Sequence, residues 1–292
     1  MHFGKITIVG VGLLGGSLGL AIKQRGLAGK VTGYVRRSES ADECMRQGVA
    51  DEVTLELPCA VEGSDLVILC TPIAQMRDLT ERMLPYLKPG VLVTDVGSVK
   101  GKVVLELEPL VARARGRFIG SHPMAGAEKM GVRAARADLF ERALCILTPT
   151  PATPLEATRN LDGFWRGIGA RSLILSPELH DELVSRSSHL PHIIAAELAN
   201  YVLSPLHPKE QSLLCANGFR DTTRIASGSP EMWRDIVLAN RKNLLRVLGI
   251  FIEDLQEFRV ALEREEPGVL TEFFEQAKQR RDAWSAQSNS PE

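Results

Sequence analysis

The chain has 292 residues, a formal net charge of -1 and 24% charged residues, so its composition gives no reason to expect a nucleic acid or an anionic membrane as partner. This length exceeds what one hydrophobic core usually holds, and we expect two domains. The five cysteines are scattered and form no C-x-x-C pair. That pattern indicates reduced thiols in the cytoplasm and argues against a disulfide framework or a cysteine-ligated zinc site.

Residues 5–26, KITIVGVGLLGGSLGLAIKQRG, predict a strand, a glycine turn and a helix. Gly10, Gly12 and Gly15 form G-x-G-x-x-G between an apolar run and an apolar helix face. The first glycine permits the tight turn, the second lets the backbone approach a pyrophosphate, and the third lets the helix pack closely on the strand. Phosphates would meet the free N–H groups at the start of the helix, so we predict a dinucleotide site that includes Leu13 and Leu14.

A signal peptide and a membrane span are the alternatives for this stretch. The stretch is rich in glycine, lacks an A-x-A-like exit and runs directly into a second strand pattern, which disfavours a signal peptide. Its apolar run is short and broken by glycines, which disfavours a membrane span. The position of the glycines between a strand and a helix favours the dinucleotide site.

Strand and helix patterns alternate through residues 1–176 and predict a Rossmann-like, doubly wound α/β domain. Further strands are expected at 31–35, 53–55, 65–70, 91–95, 118–120, 143–147 and 172–175, and helices at 38–47, 75–84, after 100 and at 155–167. Polar residues follow several of these strands, namely Thr71 with Pro72, Asp95, Ser98 and His122. Because open α/β sheets bind ligands at the carboxyl ends of their strands, we expect the cofactor and substrate there.

Residues from Pro177 onward show helical periodicity and no convincing strand. Ser229 is expected to cap a helix with Pro230 at its first position, and this helix is predicted to run to about Arg264. Its apolar stripe fits a homodimer interface between C-terminal helices, with an intrachain helical core as the alternative. The stripe consists of Ile236, Val237, Leu244, Leu248, Phe251, Leu255, Phe258 and Leu262. We predict a dinucleotide-binding domain at 1–176, an all-α substrate and dimerisation domain at 177–284, and a disordered tail at 285–292.

The residues after the second strand bear on the identity of the cofactor. NAD enzymes usually carry an acidic residue there, whereas an arginine accommodates the 2′-phosphate of NADP. Here Arg36, Arg37 and Ser38 follow the strand, and the first carboxylate is Glu39. This pattern favours NADP, with NAD still possible, and the alternative is that the two arginines are solvated surface charges.

Four stretches carry a family resemblance: DVGSVK at 95–100, GSHPMAGAEKMG at 120–131, SHLPH at 188–192 and FRDTTRIASGSPEMW at 219–233. Together with the glycine motif, they resemble the prephenate/arogenate (cyclohexadienyl) dehydrogenase family of tyrosine biosynthesis. The resemblance covers nearly the whole chain in the right order. It implies oxidation of a cyclohexadienol by hydride transfer to NAD or NADP, followed by loss of the ring carboxylate.

This chemistry needs a group that deprotonates the ring hydroxyl as hydride leaves the same carbon, and neutral histidine suits that task near pH 7. The resemblance implies that His122 is this catalytic base. It also implies that Ser98 hydrogen-bonds the histidine and the substrate hydroxyl, where a local turn or cap contact would be the alternative for a loop serine.

The substrate is a dicarboxylate and needs fixed cations. The resemblance assigns Arg224 to a substrate carboxylate, which a guanidinium binds in a bidentate way. Asp221 lies three residues earlier and is expected to orient Arg224. Glu128 resembles a family residue in the ionic network of the site, with a surface role as the alternative.

Two histidines of the SHLPH stretch complete the predicted site. The resemblance places His192 near the acid groups of the substrate, with His189 beside it. Because proline disrupts helical hydrogen bonding, we also expect Pro191 to kink the helix and aim a histidine into the cleft. A capping or packing role for one of the two is the alternative, and no third ligand at suitable spacing supports a metal site. Trp233 is expected in the core.

Two other functions stay open at this point: an NADP-dependent dehydrogenase of the β-hydroxyacid type, which would use a lysine of its helical domain, and a non-catalytic NADP-binding dimeric sensor. The motifs do not distinguish prephenate from arogenate. Because no chorismate mutase segment precedes Met1 and no room for a regulatory domain follows Trp284, we expect any inhibition by tyrosine to act at the active site or its dimer partner.

Overall fold

The computed structural model describes residues 2–126 and 130–288, and the chain forms two compact units, Met1–Arg241 and Lys242–Glu292. The strands are β1 Phe3–Val9, β2 Ala28–Tyr34, β3 Glu52–Thr54, β4 Leu66–Leu69, β5 Leu92–Asp95, β6 Arg117–Phe118, β7 Gly120–Pro123, β8 Leu144–Thr148 and β9 Arg171–Ile174. The helices are α1 Leu13–Gln24, α2 Ser38–Arg46, α3 Leu57–Val61, α4 Ile73–Met83, α5 Gly101–Arg113, α6 Leu155–Gly167, α7 Pro177–Val184, α8 Leu190–Val202, α9 Asn217–Thr223, α10 Pro230–Ala239, α11 Arg241–Glu263 and α12 Pro267–Ser288.

A parallel sheet of six strands in the order β3-β2-β1-β4-β5-β6 forms the centre of the first unit. The order reverses direction between β1 and β4, and this topological switch point is where such sheets open a ligand crevice. The predicted Rossmann-like, doubly wound fold is confirmed.

The sheet is buried on both faces because its strands alternate apolar side chains between two helical layers. In β4, Leu66 and Ile68 join one apolar cluster with residues of α1 and α6, while Val67 and Leu69 join the other with residues of α4 and α5. Each such side chain contributes about 1.5–3 kcal/mol when fully buried. The two clusters therefore hold the carboxyl edge of the sheet, and the residues beyond it, in a fixed frame.

The predicted strand at 118–120 is wrong in one respect, because the chain divides there into two strands of different sheets. Phe118 ends β6 in the main sheet, whereas Gly120 begins β7, which pairs antiparallel with β8 in a second sheet of order β7-β8-β9. Thr94 Oγ1 donates to Ile119 O (2.7 Å), and Ser121 Oγ donates to Asp95 O (2.6 Å). These contacts join β7 to β5, so the residues that follow Ser121 lie close to the carboxyl end of β5.

The helical region after residue 176 contains a π-helical turn, Ser185–His189, between α7 and α8. Pro191 directly follows this turn as the second residue of α8, and because proline has no N–H to donate to the preceding turn, the regular α-helical hydrogen bonding is interrupted there. No strand occurs among the described residues from 177 to 288, as predicted. None of the helices in the described ranges combines the length and apolar character needed to cross a bilayer.

The single helix predicted from Pro230 to about Arg264 is wrong. It is divided into α10 and α11 at Asn240, which has φ -105° and ψ 24°. The side chain of Asn240 is buried and hydrogen-bonded to Asp181 and His189, and these long-range contacts interrupt the helix.

The second unit contains most of α11 and all of α12. Phe258 of α11 packs against Phe273 of α12 with ring centroids 4.8 Å apart. Helix α12 extends to Ser288, so residues 285–288 of the predicted tail are helical, and residues 289–292 lie outside the described part of the chain.

Candidate active site

The glycine turn between β1 and α1 has open space beside its second glycine. Gly10 has φ +96°, and its N–H donates to Tyr34 O at the end of β2 (3.0 Å). A Cβ at Gly15 would lie 2.2 Å from Gly10 O, whereas a Cβ at Gly12 would meet no atom within 4 Å. Gly15 is therefore required for packing, while no protein contact explains Gly12. No side chain in the described ranges caps α1, so its first N–H groups are available to phosphate oxygens. The predicted Leu13 and Leu14 form the first turn of this helix.

Arg36, Arg37 and Ser38 follow the end of β2, next to the glycine turn. All three are exposed, and Ser38 is the first residue of α2. Within residues 2–126 and 130–288, neither arginine side chain makes a hydrogen bond or an ion pair. Both guanidinium groups are therefore accessible to an anionic ligand from solvent.

Thr71 and Pro72 follow β4, which pairs with β1 at the switch point. Thr71 Oγ1 is buried and has no hydrogen-bond partner among the described residues. A Cβ at Gly10 would lie 2.7 Å from Thr71 Cγ2, so the threonine methyl packs on the glycine turn. An unpaired buried hydroxyl costs roughly 1–3 kcal/mol. This hydroxyl, the space beside Gly12 and the uncapped helix α1 together fit a nicotinamide dinucleotide.

His122 lies in β7 and begins a hydrogen-bonded chain of three side chains. Its Nδ1 is 2.9 Å from Nε2 of His180, which belongs to α7 and is completely buried. Nδ1 of His180 lies 2.8 Å from Oδ1 of Asp181. His122 itself is 8% exposed, and its Nε2 makes no hydrogen bond within the described part of the chain. Nε2 is therefore the ring nitrogen left for a substrate.

The surroundings of the three hydrogen-bonded side chains His122, His180 and Asp181 keep both imidazole rings neutral near pH 7. Burial holds the pKa of His122 well below its usual value of 6.5, and the charges of His180, Lys100 and His189 lower it further. Burial also lowers the pKa of His180, although the hydrogen bond to Asp181 opposes this shift. A neutral imidazole with one unpaired nitrogen is ready to accept a proton.

Lys100 and Asp95 place a buried ion pair beside His122. Both side chains are completely buried, and Lys100 Nζ also donates to Ser121 O (2.8 Å). Ser98 lies in the loop between them and is half-buried. No hydrogen bond joins Ser98 to His122 among the described residues. The predicted contacts of Ser98 with His122 and the substrate stay predictions.

His189, the last residue of the π-helical turn, is completely buried and tied to Asn240. One N–H of Asn240 Nδ2 donates to Asp181 O (2.8 Å), and the other faces His189 Nδ1 at 3.2 Å. Burial lowers the pKa of His189 to about 4, against the opposing charge of Asp181. His189 is therefore neutral, and its protonated Nε2 has no partner of normal hydrogen-bond geometry among the described residues.

His192 is half-buried on α8, and its ring stacks on Trp233 with centroids 3.8 Å apart and planes at 29°. Its Nδ1 lies 2.9 Å from Ser188 O, which makes Nδ1 the donor and leaves Nε2 as an acceptor. Burial lowers the pKa of His192, and the charge of Arg224 lowers it further. Trp233 was expected in the core, and this is wrong: it is half-buried and positions His192.

Arg224 and Asp221 are both exposed in the segment that contains α9. The effect of Arg224 on His192 shows that its guanidinium lies near that ring. The orientation of Arg224 by Asp221 stays a prediction. Glu128 lies outside the described residues, so its predicted role stays untested. Among the described residues, no group of three or more His, Cys, Asp or Glu side chains is arranged to hold a metal ion.

The sequence reasoning missed His180, Asp181 and Asn240. A signal for the first two is present in the helix pattern, because Pro177, His180, Asp181 and Val184 are the buried residues of α7. These positions have the i, i+3, i+4, i+7 spacing of a core-facing stripe, and two of them are polar. Polar residues at core positions indicate a buried network.

Comparison with known proteins shows which family the chain belongs to. The family model for the prephenate dehydrogenase nucleotide-binding domain matches residues 18–174, and the model for the prephenate dehydrogenase dimerization domain matches residues 176–276. Prephenate dehydrogenase of Bacillus subtilis is 38% identical over 280 residues, which cover 95% of this chain and 75% of that protein. Cyclohexadienyl dehydrogenase of Zymomonas mobilis is 36% identical over 282 residues, which cover 96% of this chain and 95% of that protein.

The fold of this chain is also similar to that of solved structures. The crystal structure of prephenate dehydrogenase from A. aeolicus in complex with hydroxyphenyl propionate and NAD+ is similar with a TM-score of 0.91 and 33% identity. The likeness covers 97% of this chain and 99% of that chain. The matches extend over both the sheet and the helices, and the chain therefore belongs to the prephenate dehydrogenase family.

Proposed function

We propose that this chain oxidises prephenate, arogenate or both by hydride transfer to NADP or NAD, with loss of the ring carboxylate. The products are 4-hydroxyphenylpyruvate from prephenate and tyrosine from arogenate. The observation that carries the proposal is His122, a buried neutral histidine whose Nε2 is unpaired and whose strand lies next to the carboxyl end of β5.

The proposed reaction needs one base and one hydride acceptor. Nε2 of His122 takes the proton of the ring hydroxyl, and a bound nicotinamide would supply the acceptor for the hydride of the same ring carbon. The carbon–carbon bond to the ring carboxylate then breaks, carbon dioxide leaves, and the bonding electrons make the ring aromatic. Because His122 is neutral near pH 7, it is able to accept this proton without prior deprotonation.

Cationic and hydrogen-bonding groups on the helical side are proposed to hold the substrate acid groups. Arg224 binds one carboxylate, and His192, whose pKa is lowered by burial and further by the charge of Arg224, contacts the acid groups of the side chain. Ser98 is proposed to hydrogen-bond the ring hydroxyl. We propose that His189, Asp221 and Glu128 also lie around the bound substrate, as predicted from the sequence.

The choice of NADP over NAD is proposed from the ribose end of the cofactor site. Arg36 and Arg37 are exposed, and neither is paired within the described residues. The first carboxylate, Glu39, lies inside α2. Two such cations favour a ligand that carries a 2′-phosphate.

We also propose a homodimer formed by the C-terminal helices, in the cytoplasm. Within the second unit, large apolar side chains of α11 and α12 are 43–65% exposed, which a partner copy would cover. They are Leu245, Ile250, Ile252, Leu255, Leu262, Val269, Phe273, Phe274 and Trp284. All five cysteines are free thiols, as expected in a reducing compartment.

The alternative of a β-hydroxyacid-type enzyme has little support. Such an enzyme would use a lysine of the helical region, where the lysines are Lys209, Lys242 and Lys278. All three are exposed, and Lys209 begins a short 3-10 turn between α8 and α9. The network around His122 contains no residue of that turn.

The test combines NAD or NADP with prephenate or arogenate and follows the reduced cofactor at 340 nm. We expect activity in at least one combination, with higher kcat/KM for NADP. His122→Asn should lower kcat by roughly 10²–10⁴-fold with little change in cofactor affinity. A folded protein that binds NADP but is inactive in all four combinations would instead support the non-catalytic sensor.

A further inference from the structure

We propose that Asp181 and His180 are positioning residues that set the tautomer of His122, so that Nε2 is its basic nitrogen. Its kinetic consequence rests on the proposed function, whereas the tautomer itself is a property of the free protein. The inference uses two buried side chains of α7 that the sequence motifs do not include.

The argument begins at the carboxylate, because an ionised carboxylate only accepts hydrogen bonds. Asp181 Oδ1 lies 2.8 Å from Nδ1 of His180, so Nδ1 of His180 must carry a proton. In a neutral ring the other nitrogen is then unprotonated. Nε2 of His180 is therefore an acceptor.

The same logic extends to the next ring. Nε2 of His180 lies 2.9 Å from Nδ1 of His122, so Nδ1 of His122 carries the proton that is donated. Nε2 of His122 is then unprotonated and able to take a proton from a substrate hydroxyl. The opposite tautomer of His122 would place two lone pairs against each other in a buried site.

Main-chain N–H groups hold the carboxylate of Asp181 as a hydrogen-bond acceptor, so it does not donate a proton to His180. Its Oδ1 accepts the N–H of Lys100 (2.7 Å) and its Oδ2 accepts the N–H of Gly101 (2.9 Å) at the start of α5. Its main-chain carbonyl accepts a hydrogen bond from Asn240 (2.8 Å). Helix α5 has 13 residues, and its N-terminus favours the ionised carboxylate.

The hydrogen-bonded series of His122, His180 and Asp181 also stabilises His122 after it has accepted the substrate proton. When Nε2 of His122 has taken the substrate proton, the ring carries a positive charge and its Nδ1–H still points at His180. The charged and titratable groups that face His122 are His180 on α7, Lys100 before α5 and His189 in the π-helical turn. Asp181 supplies the negative charge that is hydrogen-bonded to His180, and Asp95, which is paired with Lys100, adds a second negative charge near that ring.

The direct test is the tautomer of His122 in the free protein, measured by nitrogen-15 NMR of histidine-labelled samples. Six histidines are present, and His122→Asn identifies the His122 signals by their loss. We expect a protonated Nδ1 and an unprotonated Nε2 in the wild type. In Asp181→Asn we expect a mixture of tautomers, because an amide both donates and accepts. The reverse tautomer in the wild type, or an unchanged tautomer in Asp181→Asn, would overturn the proposal.

Two further variants complete the test, one as a control and one as a substitute for Asp181→Asn. Glu178→Gln removes an exposed carboxylate from the same helix and should change neither the tautomer nor the activity. His180→Gln breaks the chain without removing the carboxylate that caps α5. It should also give a mixture, and it replaces Asp181→Asn if that variant does not fold.

The kinetic test separates positioning from a structural role. Asp181→Asn should lower kcat by roughly 10²–10⁴-fold with KM changed less than about threefold, by analogy with the neutralised aspartate of a serine-protease triad. It should also move the acid limb of the kcat profile to lower pH, because a negative charge is removed. Loss of kcat with an unmoved acid limb would indicate structural damage and contradict the proposal. A wild type inactive towards both substrates would contradict only the proposed function, since the NMR measurement needs no substrate.

Discussion

The side chains of Asp95 and Lys100 form an ion pair that is completely buried, although only five positions separate them in the chain. Asp95 is further held by the N–H of Gly97 (2.8 Å), and Lys100 by the carbonyl of Ser121 (2.8 Å). This pair connects β5, the loop that contains Ser98 and the strand that contains His122. The loop geometry of the site therefore depends on two charges with no access to water.

Breaking this pair on one side should be strongly destabilising. We expect Lys100→Met to lower the free energy of unfolding by roughly 3–5 kcal/mol, because it leaves a buried carboxylate without its counter-charge. The double variant Asp95→Asn/Lys100→Met should lose clearly less. Denaturant unfolding of both variants measures the difference, and equal losses in the single and double variants would contradict this account.

The activity should persist to lower pH than an ordinary histidine base would allow. The base must be unprotonated, and the pKa of His122 lies well below 6.5 because of burial and nearby positive charge. We expect kcat/KM to be flat above pH 6.5 and to fall only at lower pH. A pH profile, with circular dichroism at each pH to show that the protein stays folded, checks this. An acid limb at or above 6.5 would count against His122 as a buried base.

Folding stability should depend on pH through His189. Its pKa is about 4 in the folded protein, below the usual 6.5, so the unfolded chain binds more protons between these values. The stabilising contribution is complete above pH 6.5 and is lost as pH falls towards 4. At pH 5 the loss amounts to about 2 kcal/mol from this residue. His122, His180 and His192 act in the same direction, because burial lowers each of their pKa values.

Denaturant midpoints of wild type and His189→Gln at pH 5 and 7.5 measure this contribution. The variant should be less stable at pH 7.5 but should lose less stability on acidification than the wild type. His2→Gln, at an exposed position, serves as the control and should behave like the wild type. Equal acid sensitivity of the wild type and His189→Gln would show that His189 is not the titrating group.

The unpaired hydroxyl of Thr71 should affect cofactor affinity without supporting the fold. Thr71→Val removes a buried group that has no partner among the described residues, so the free protein should be as stable or up to about 1 kcal/mol more stable. Cofactor affinity should fall roughly 3- to 10-fold, as for one lost hydrogen bond. Thr80→Val is the matched control, because Thr80 Oγ1 already donates to Met76 O (2.7 Å). Thermal unfolding with and without cofactor makes the comparison. Thr71→Val should lose cofactor affinity but not stability, whereas Thr80→Val should lose stability but not cofactor affinity.

The ribose-end arginines should separate the two cofactors. Arg36→Ala/Arg37→Ala should raise KM for NADP at least about 10-fold more than KM for NAD, because only NADP carries the 2′-phosphate that would pair with them. Arg46→Ala is the control, since Arg46 is exposed at the other end of α2 and paired with Glu43. Steady-state kinetics with both cofactors makes the comparison. Equal effects of the double change on NAD and NADP would contradict the NADP proposal.

Much of the fold was readable in local patterns. The strand, glycine turn and helix at the N-terminus follow from residues within a few positions of one another, and so does the cap at Ser229, whose side chain accepts the N–H of Met232. The helix predicted at 155–167 has those bounds in the structure. Such signals are local because turns, caps and helical periodicity depend on neighbouring residues.

The assembly of the site was not readable in this way. His122 and His180 are 58 positions apart, and Asn240 reaches Asp181 across 59. Nothing in the sequence near Asn240 predicts that a helix will break there, because the break depends on hydrogen bonds with residues of another helix. The separate sheet that contains β7 likewise depends on which backbone edges meet after folding.

The sequence by itself determined the Rossmann-like architecture, the glycine turn and the residue types offered at the carboxyl edge of the sheet, because periodicity and glycine placement act over short distances. Only the tertiary structure decided that His122 meets His180 and Asp181 and that Trp233 stacks on His192. The physical reason is that burial and hydrogen-bond partners depend on how the folded surfaces pack together. Packing brings together residues that are far apart in the sequence, and no local sequence pattern indicates these contacts.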